Sequence, residues 1–474
     1  MNNPNNDIEA HSEEHSFRDT MATADASGKR IWLYPKNSKG KYTNWRNALS
    51  VLFLAMLISG PFVRINGEPL LLIDILSRKF IILGKIFWPQ DFHIFLLIMI
   101  AFVIFIGLFT VIYGRVFCGW VCPQTIFMES VFRKMEYWIE GDWKDRMQLD
   151  KQDWNAEKVF KKSVKHAVFF LLSFAIANLL LSYIIGSEKV LQILTTNPSD
   201  QLGTIAALLV FTVVFYWIYA KFREQVCTVI CPYGRLQGVL LDKKSLVVIY
   251  DYIRGEKRAK FKMHESRKEI DKGDCIDCNH CVHVCPAGID IRNGTQLECI
   301  NCTACMDACD HVMKTVGLPK GLVRMDSEVG VAEGKPFRFT MRIMGYTAVL
   351  VVLLVFISCL LVFRSDVETS MLRTPGTLYQ SLDDNKVSNL YTIKMINKTS
   401  GQIAVQVKVL SDKGELKLIG KDLVVPSQGM VETAAFVILD KKDIKKTKTD
   451  IKLGVYAGTK ELETFSTTFI GPVY

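Results

Sequence analysis

The sequence predicts a multidomain membrane protein: an α-helical bundle of about five transmembrane spans, a cysteine-rich module inserted into it, and a C-terminal all-β sandwich. Three observations carry this. Hydrophobic residues make up 49% of the 474 and the mean hydropathy is +0.19, more than a soluble chain of this length needs. Twelve of the thirteen cysteines stand in ordered motifs, which points to metal or redox chemistry in a reducing compartment and not to a secreted disulfide framework. After Asp366 cysteine vanishes and short runs alternate at period two between turn residues.

Taken in order, residues 1–44 are polar, lack the apolar core of a signal peptide, and are expected to be partly disordered. Lys36, Lys39, Lys41 and Arg46 lead into a first span, Trp45 to Val63, and argue for a cytoplasmic N-terminus. Leu70 to Phe87 looks membranous, but Asp74, Arg78, Lys79 and Lys85 interrupt it. A charge at the bilayer centre costs roughly 2.5–3.5 kcal/mol, so the stretch is predicted to be an amphipathic interfacial helix. Phe92 to Tyr113 is the second span. The mixed-charge segment Glu129 to Lys165 reads as a solvated helix surface on the cytoplasmic face. Ala167 to Ile185 and Thr204 to Lys221 cross the membrane, joined by a short loop, Gly186 to Gly203.

Glu256 to Lys272 is a basic linker, predicted to be an exposed helix or a segment tracking anionic headgroups. Gly317 to Pro336 reads as loop, and Arg338 and Arg342 precede a fifth span, Ile343 to Phe363. Runs such as Tyr391 to Ile396, Ile403 to Val409 and Ile451 to Tyr456 then predict strands of a small sandwich lying outside. The implied domains are 1–44, 45–222, 223–342, 343–363 and 366–474. The formal net charge of +10 is accounted for by basic cytoplasmic loops beside membrane lipid, and no nucleic-acid-binding motif is present.

The inserted module is defined by two runs, Cys275, Cys278, Cys281, Cys285-Pro286 and Cys299, Cys302, Cys305, Cys309. This is the bacterial ferredoxin spacing written twice. Three thiolates of each loop cap three irons of one cubane and the fourth cysteine ligates the other. Cys275, Cys278, Cys281 and Cys309 are therefore assigned to one [4Fe–4S] cluster, and Cys299, Cys302, Cys305 and Cys285 to a second. Zinc takes separated pairs instead, and disulfides need an oxidising compartment. Asp310 stands where a second proline is expected, which bears on the turn and not on ligation.

The second and fourth spans each deliver a C-x3-C-P motif, Cys118 to Pro123 and Cys227 to Pro232, to the side of the ferredoxin loops. Cysteines at i and i+4 share a helix face, and the proline ends or kinks the span. Two such pairs brought together make a four-thiolate site suited to Cu(I), an iron–sulfur cluster or zinc, and a disulfide is also open to each pair. The bland reading is plain buried cysteine, which is retained for the lone Cys359. Asn178 is expected to make an interhelical hydrogen bond, His93 and His166 to be interfacial, and His280 and His283 to be supporting or solvent-facing.

Gly114-Arg115-Val-Phe-Cys118-Gly-Trp-Val-Cys122-Pro123, Arg223-Glu-Gln-Val-Cys227-Thr-Val-Ile-Cys231-Pro232-Tyr-Gly-Arg235 and Cys285-Pro-Ala-Gly-Ile-Asp-Ile-Arg292 together resemble the CcoG/FixG/RdxA family, over nearly the whole chain. The resemblance implies a cytoplasmic-membrane protein with an immunoglobulin-like C-terminal domain in the periplasm. It further implies reduction of Cu(II) to Cu(I) in support of cbb-type cytochrome c oxidase assembly. Its partners would be a cytoplasmic electron donor and copper-transport and oxidase-assembly proteins, with homodimerisation left open. Copper, as substrate or bound ion, would meet electrons at Cys118, Cys122, Cys227 and Cys231. The competing readings are an electron-transfer subunit of a quinol-linked respiratory pathway and a structural scaffold.

Overall fold

The computed structural model describes residues 22–472, except 26, 66, 75–78, 83–84, 88–91, 197–200, 264–266, 268, 335–339, 364, 366, 375, 377, 383–384, 400, 412–413, 420–422, 428 and 445. Most of the disorder expected in 1–44 lies outside them. The chain divides into two compact units, Met1–Val63 with Leu96–Val355, and Arg64–Phe95 with Phe356–Tyr474.

In the first unit, residues 30–46 form a strap fixed to the cysteine-rich module. The Lys36 amide donates to the His283 carbonyl, and the amides of Tyr42 and Thr43 donate to the Asp307 carboxylate at 3.1 and 2.6 Å. Asp307 thereby supplies the N-terminal acceptor for the helix Lys41–Ser59, whose own cap position is Gly40.

Four helices among the described residues are long and apolar enough to cross a membrane: His93–Tyr113, Ala156–Ile185, Leu202–Phe222 and Met341–Val362. The helix of the first predicted span falls below that threshold because its leading turns, Lys41 to Asn47, are polar and docked on the module. It is about 28 Å long at 1.5 Å per residue. Arg46 reaches the Cys302 carbonyl at one end. At the other, the Leu57 carbonyl accepts from Tyr183 Oη at 2.5 Å and the Pro61 carbonyl from Ser187 Oγ at 3.2 Å, both at the far end of Ala156–Ile185.

Several expectations are corrected. The loop Gly186 to Gly203 contains a helix, Ser187–Thr195, and the loop Gly317 to Pro336 contains a strand and a helix, Val323–Asp326 and Glu328–Glu333. The strand pairs with Val247–Tyr250 and closes the module, its end at 335–336 lying outside the described residues. The described residues of Glu256 to Lys272 form no long exposed helix; 264–266 and 268 lie outside them. Arg267 is buried there and donates to the carbonyls of Gly273, Ala259 and Cys275, which binds the segment to the first cysteine loop. Asn178 donates to Phe174 O of its own helix.

In the second unit, Leu70 to Phe87 is no helix. It forms a three-stranded antiparallel sheet of Leu71–Asp74, Lys79–Ile82 and Lys85–Phe87, with Leu72 and Ile81 buried. Its apolar runs are only three or four residues long and rich in β-branched isoleucine, a pattern that fits a short strand as well as a helical turn. The C-terminal part is a sandwich. One sheet orders Glu415–Leu418, Met430–Asp440, Lys386–Asn397 and Val367–Arg373, with Gln380–Leu382 also on Lys386–Asn397. The other orders Leu423–Val425, Ile403–Val409, Lys448–Ala457 and Lys460–Ile470. Alternating inward residues, among them Val387, Tyr391, Ile393, Val405, Leu453 and Val455, fill the space between the sheets.

Candidate functional site: three quartets of cysteine

The two ferredoxin loops are conformational copies. Asp277 and Asn279 in the first, and Asn301 and Thr303 in the second, all take left-handed φ between 51° and 62°. Each loop then enters a helix, His280–His283 or Ala304–Thr315. A β-branched threonine at positive φ is an outlier, held here by Thr303 Oγ1 donating to the Cys302 carbonyl at 2.7 Å and by close burial. Asp310, at the unexpected position, accepts the Gly321 amide at 2.8 Å and ties the turn down.

Electrostatic coupling groups these cysteines mainly by loop. Burial pushes Cys309 up to about 12, with Cys281, Cys278 and Cys275 adding to it. Burial also raises Cys281 to about 12, with Arg292 opposing and Cys278 and Cys275 reinforcing. Burial raises Cys285, with the neighbouring Cys302 and Cys299 adding to it, and raises Cys305, with Cys302, Cys299 and Cys285 adding most and Cys281 of the first loop adding less. A cavity is lined by Cys281, Cys285, Cys299, Cys302 and Cys305. Among the described residues no three His, Cys, Asp or Glu side chains are drawn in tightly enough to hold one bare ion. Buried neutral thiols spread around a shared space fit a polynuclear iron–sulfur core, which deprotonates its ligands on binding and holds them farther apart than a single ion does.

The third quartet is built at the ends of two spans. After Tyr113 the chain turns through the short helix Val116–Trp120, and Pro123 starts the next helix at Cys122. After Leu202–Trp217 the backbone widens twice: Arg223 N bonds Ile218 O, and Cys231 N bonds Val226 O, both i to i−5. Such π-turns are frequent at functional sites. Cys118 is raised to about 11 by burial, opposed by Arg115 and reinforced by Cys122 and Cys231. Cys227 is raised to about 12 by burial, then by Cys122, Cys118 and Cys231. The structure therefore couples all four cysteines that the repeat nominates, spaced, like the ferredoxin cysteines, more widely than one bare ion would draw them, while Cys359, expected to be buried, is exposed.

Two residues of this site were not singled out from the sequence. Gln237 accepts from Cys118 Sγ at 2.9 Å and from Arg115 Nε at 3.2 Å, and it donates to Thr110 Oγ1 at 3.1 Å. Arg115 is buried and also donates to the Leu297 carbonyl. A buried arginine beside four thiols favours thiolate. The available signal was its place, the residue between the span end and the first C-x3-C-P. Nothing in spacing marks Gln237.

The first C-x3-C-P rests on the second ferredoxin loop. Trp120 Nε1 donates to the Asn301 carbonyl at 3.2 Å, and Cys118 shares a core with Ile300 and Cys302. Gly119 permits this approach, since a Cβ there would lie 2.4 Å from the Ile300 carbonyl oxygen. The histidines are supporting groups: His283 stacks on Trp143 at 4.7 Å, and His166 Nδ1 shares a 2.8 Å hydrogen bond with Tyr216 Oη.

The charges of Glu129 to Lys165 are only partly solvated as expected: Lys134, Lys144, Asp145, Lys151, Asp153 and Glu157 are exposed, but a second set is enclosed. Arg133, Glu136, Glu140 and Arg146 are at most 3% exposed. Glu136 pairs with Arg223 at 2.5 Å and Arg146 at 3.1 Å, and Arg133 pairs with Glu129 at 3.0 Å. Burial pushes Glu136 up, but Arg223, Lys165, Arg133 and Arg146 outweigh it and hold the carboxyl at about 2.

Comparison with known proteins agrees with this architecture. A 4Fe-4S dicluster domain matches residues 222–328, a 4Fe-4S binding domain matches 94–144, and the IG-like fold at the C-terminal of FixG matches 357–472. Protein RdxB of Cereibacter sphaeroides is 33% identical over 91% of this chain and 94% of its own length. Nitrogen fixation protein FixG of Rhizobium meliloti is 37% identical over 62% of this chain, a match spanning 57% of FixG. Ferredoxin-type protein NapH of Haemophilus influenzae is 22% identical over 61% of this chain and 92% of its own. With the cysteine loops, the apolar helices and the terminal sandwich all in place, the chain belongs to the FixG/RdxA family and is a membrane iron–sulfur electron-transfer protein.

Proposed function

We propose that the chain is a cupric reductase, taking electrons from a cytoplasmic donor and delivering them to copper at Cys118, Cys122, Cys227 and Cys231. The observation that carries this reading is the seating of the first C-x3-C-P on Ile300–Cys302, which sets a soft-donor quartet against a ferredoxin loop. Cys275, Cys278, Cys281 and Cys309 would hold one [4Fe–4S] cluster, and Cys299, Cys302, Cys305 and Cys285 the other; when bound, these supply one-electron redox chemistry. The chain's own part is to exclude water, to position the thiols and to stabilise thiolate through Arg115. Each Cu(II) takes up one electron and becomes Cu(I), which thiolate sulfur favours over Cu(II).

The proposed orientation places the ferredoxin module in the cytoplasm and the sandwich in the periplasm. Supporting it, Arg64–Phe95, which follows the first helix, belongs to the same unit as Phe356–Tyr474, which follows the last. The Cu(I) product would serve cytochrome c oxidase assembly through copper-transport partners.

A second reading makes the same four cysteines ligands of a third cluster in an electron-transfer subunit. It is favoured by the 4Fe-4S binding domain match over 94–144, which contains Cys118 and Cys122. Anaerobic metal analysis with copper titration separates the two. Serine at Cys118 and Cys122 should remove copper binding and Cu(II) reduction while about eight irons per chain remain. Wild-type copper reduction with a fallen iron count would sink the copper site in favour of the third cluster.

A further inference from the structure

A cavity of about 790 Å³ in the first unit, lined by no cysteine, lies where the helix Ala156–Ile185 begins and the span Leu202–Phe222 ends. That size suits a small-molecule ligand. Its wall carries a cationic ladder, Lys158, Lys162 and Lys165, at i, i+4 and i+7 of one helix face. Lys221 and Arg223 approach from the opposite span, and Arg146 completes the set.

Only three carboxylates face these six cations, and all three are engaged. Glu136 binds Arg146 and Arg223; Glu140 lies 2.9 Å from both Lys162 and Lys165; Asp150 lies 2.5 Å from Lys162 and accepts from Tyr34 Oη at 2.5 Å. Behind the cavity Arg30 and Arg133 pair with Glu129 and Glu224, two charges of each sign, and Glu224 also lies 3.9 Å from Arg223 Nε, so the net surplus of cations is unchanged. Among the described residues the Nε atoms of Arg146 and Arg223, side chains 1% and 6% exposed, have no hydrogen-bond partner, and Lys158 Nζ donates to the carbonyls of Asp150 and Gln152 and lies 5.3 Å from the Trp154 ring, with no carboxylate on it. Burying Lys158 without a carboxylate is costly, and six cations around three carboxylates leave the cavity positive, which favours an anion.

We propose that this cavity is a phosphate site. The ligand chemistry is a phosphate carrying an apolar or aromatic body, because Trp32, Trp154, Tyr216 and Trp217 also line the space. Two sources share that chemistry: the headgroup of an anionic phospholipid, reaching in between the two apolar helices, and a soluble nucleotide. Basic pockets between spans, ringed by interfacial tryptophan, are suited to the first.

The test uses the full-length, iron-loaded protein in nanodiscs of phosphatidylcholine mixed with phosphatidylglycerol. Phosphatidylglycerol retained after detergent extraction is counted by mass spectrometry, and AMP binding is measured by equilibrium dialysis in pure phosphatidylcholine. The variant Lys158→Gln/Lys221→Gln leaves the Glu136 and Glu140 ion pairs in place, and its iron content and melting temperature report folding. Wild-type protein should retain phosphatidylglycerol at least about 10-fold above its bulk share and the folded variant should lose that excess. AMP binding that the variant abolishes, without lipid retention, assigns the phosphate site to a soluble ligand. Retention and AMP binding that are both absent, or both unchanged in the folded variant, overturn the proposal.

Discussion

The two C-x3-C-P repeats have the same spacing, yet different forces hold them. The first is fixed by close packing: Cys118 is 7% exposed, Gly119 lies against the Ile300 carbonyl, and Trp120 bonds the Asn301 carbonyl. The second is approached through charge. Arg223, four residues before Cys227, adopts φ of 54° and is clasped by Glu136, while Glu224 pairs with Arg30 at 3.0 Å. In Val226–Ile230 the Cys227 side chain is partly enclosed, but no residue is fully buried and Val229 and Ile230 are exposed. One motif can thus be anchored by a protein surface and its copy by an ion-pair cluster. The first anchor is insensitive to pH and salt, and the second is exposed to pH.

The largest expected effect treats the repeats as equals. Serine at Cys118 and Cys122, or at Cys227 and Cys231, should each abolish Cu(II) reduction. Cys278→Ser or Cys302→Ser should instead cut the iron content while Cu(I) binding at the repeats survives, measured by anaerobic titration with a chromophoric Cu(I) chelator. If one repeat can be removed without loss of Cu(I) affinity, the two do not form one site.

The next effect separates them by acid. Glu136 is held near 2 against an ordinary 4.5, so its contribution is present above about pH 4.5 and is lost as pH falls through the window down to about 2. For a group this buried the loss is on the order of a few kcal/mol. Protease cleavage after Arg223, followed by mass spectrometry on lowering the pH, should show the second repeat loosening before the first. Simultaneous loosening would mean that the charge cluster does not anchor it.

Packing gives a smaller, opposite contrast. Gly119→Ala places a methyl 2.4 Å from the Ile300 carbonyl oxygen, a backbone clash worth about 1–3 kcal/mol, and should lower the melting temperature and perturb the EPR signal of the neighbouring loop. Gly234→Ala meets the Cys227 carbonyl oxygen at 2.6 Å and should lower stability without that spectroscopic change. The smallest effect is expected from Gln237→Leu, which removes the partner of Cys118 Sγ. Cu(I) affinity should fall about 10-fold, with both clusters unchanged in absorbance.

Much of this molecule was legible in its residues. Cysteine spacing is a local code, because three thiols on one short loop must face one centre, and it marks the iron–sulfur module that the dicluster match over 222–328 supports. Apolar length likewise marks four of the spans. The sandwich reads from alternation, since inward and outward residues of a strand must differ.

What only the tertiary structure decided lies where a local pattern has two outcomes. Leu71–Asp74 and Lys79–Ile82 are too short to tell strand from helical turn, and pairing chose strand. The helix Lys41–Ser59 spends its polar turns on Asp307 and Cys302, partners more than 250 residues away that no window contains. The charges from Glu129 to Lys165 have the composition of a solvated surface, and only the arrival of Arg223 from another span, with Tyr34 and Arg30 from the N-terminal strap, encloses some of them, Arg133, Glu136, Glu140 and Arg146, as a buried cluster. Composition records how many charges a segment has; whether water or another charge meets them is fixed by contacts distant in sequence.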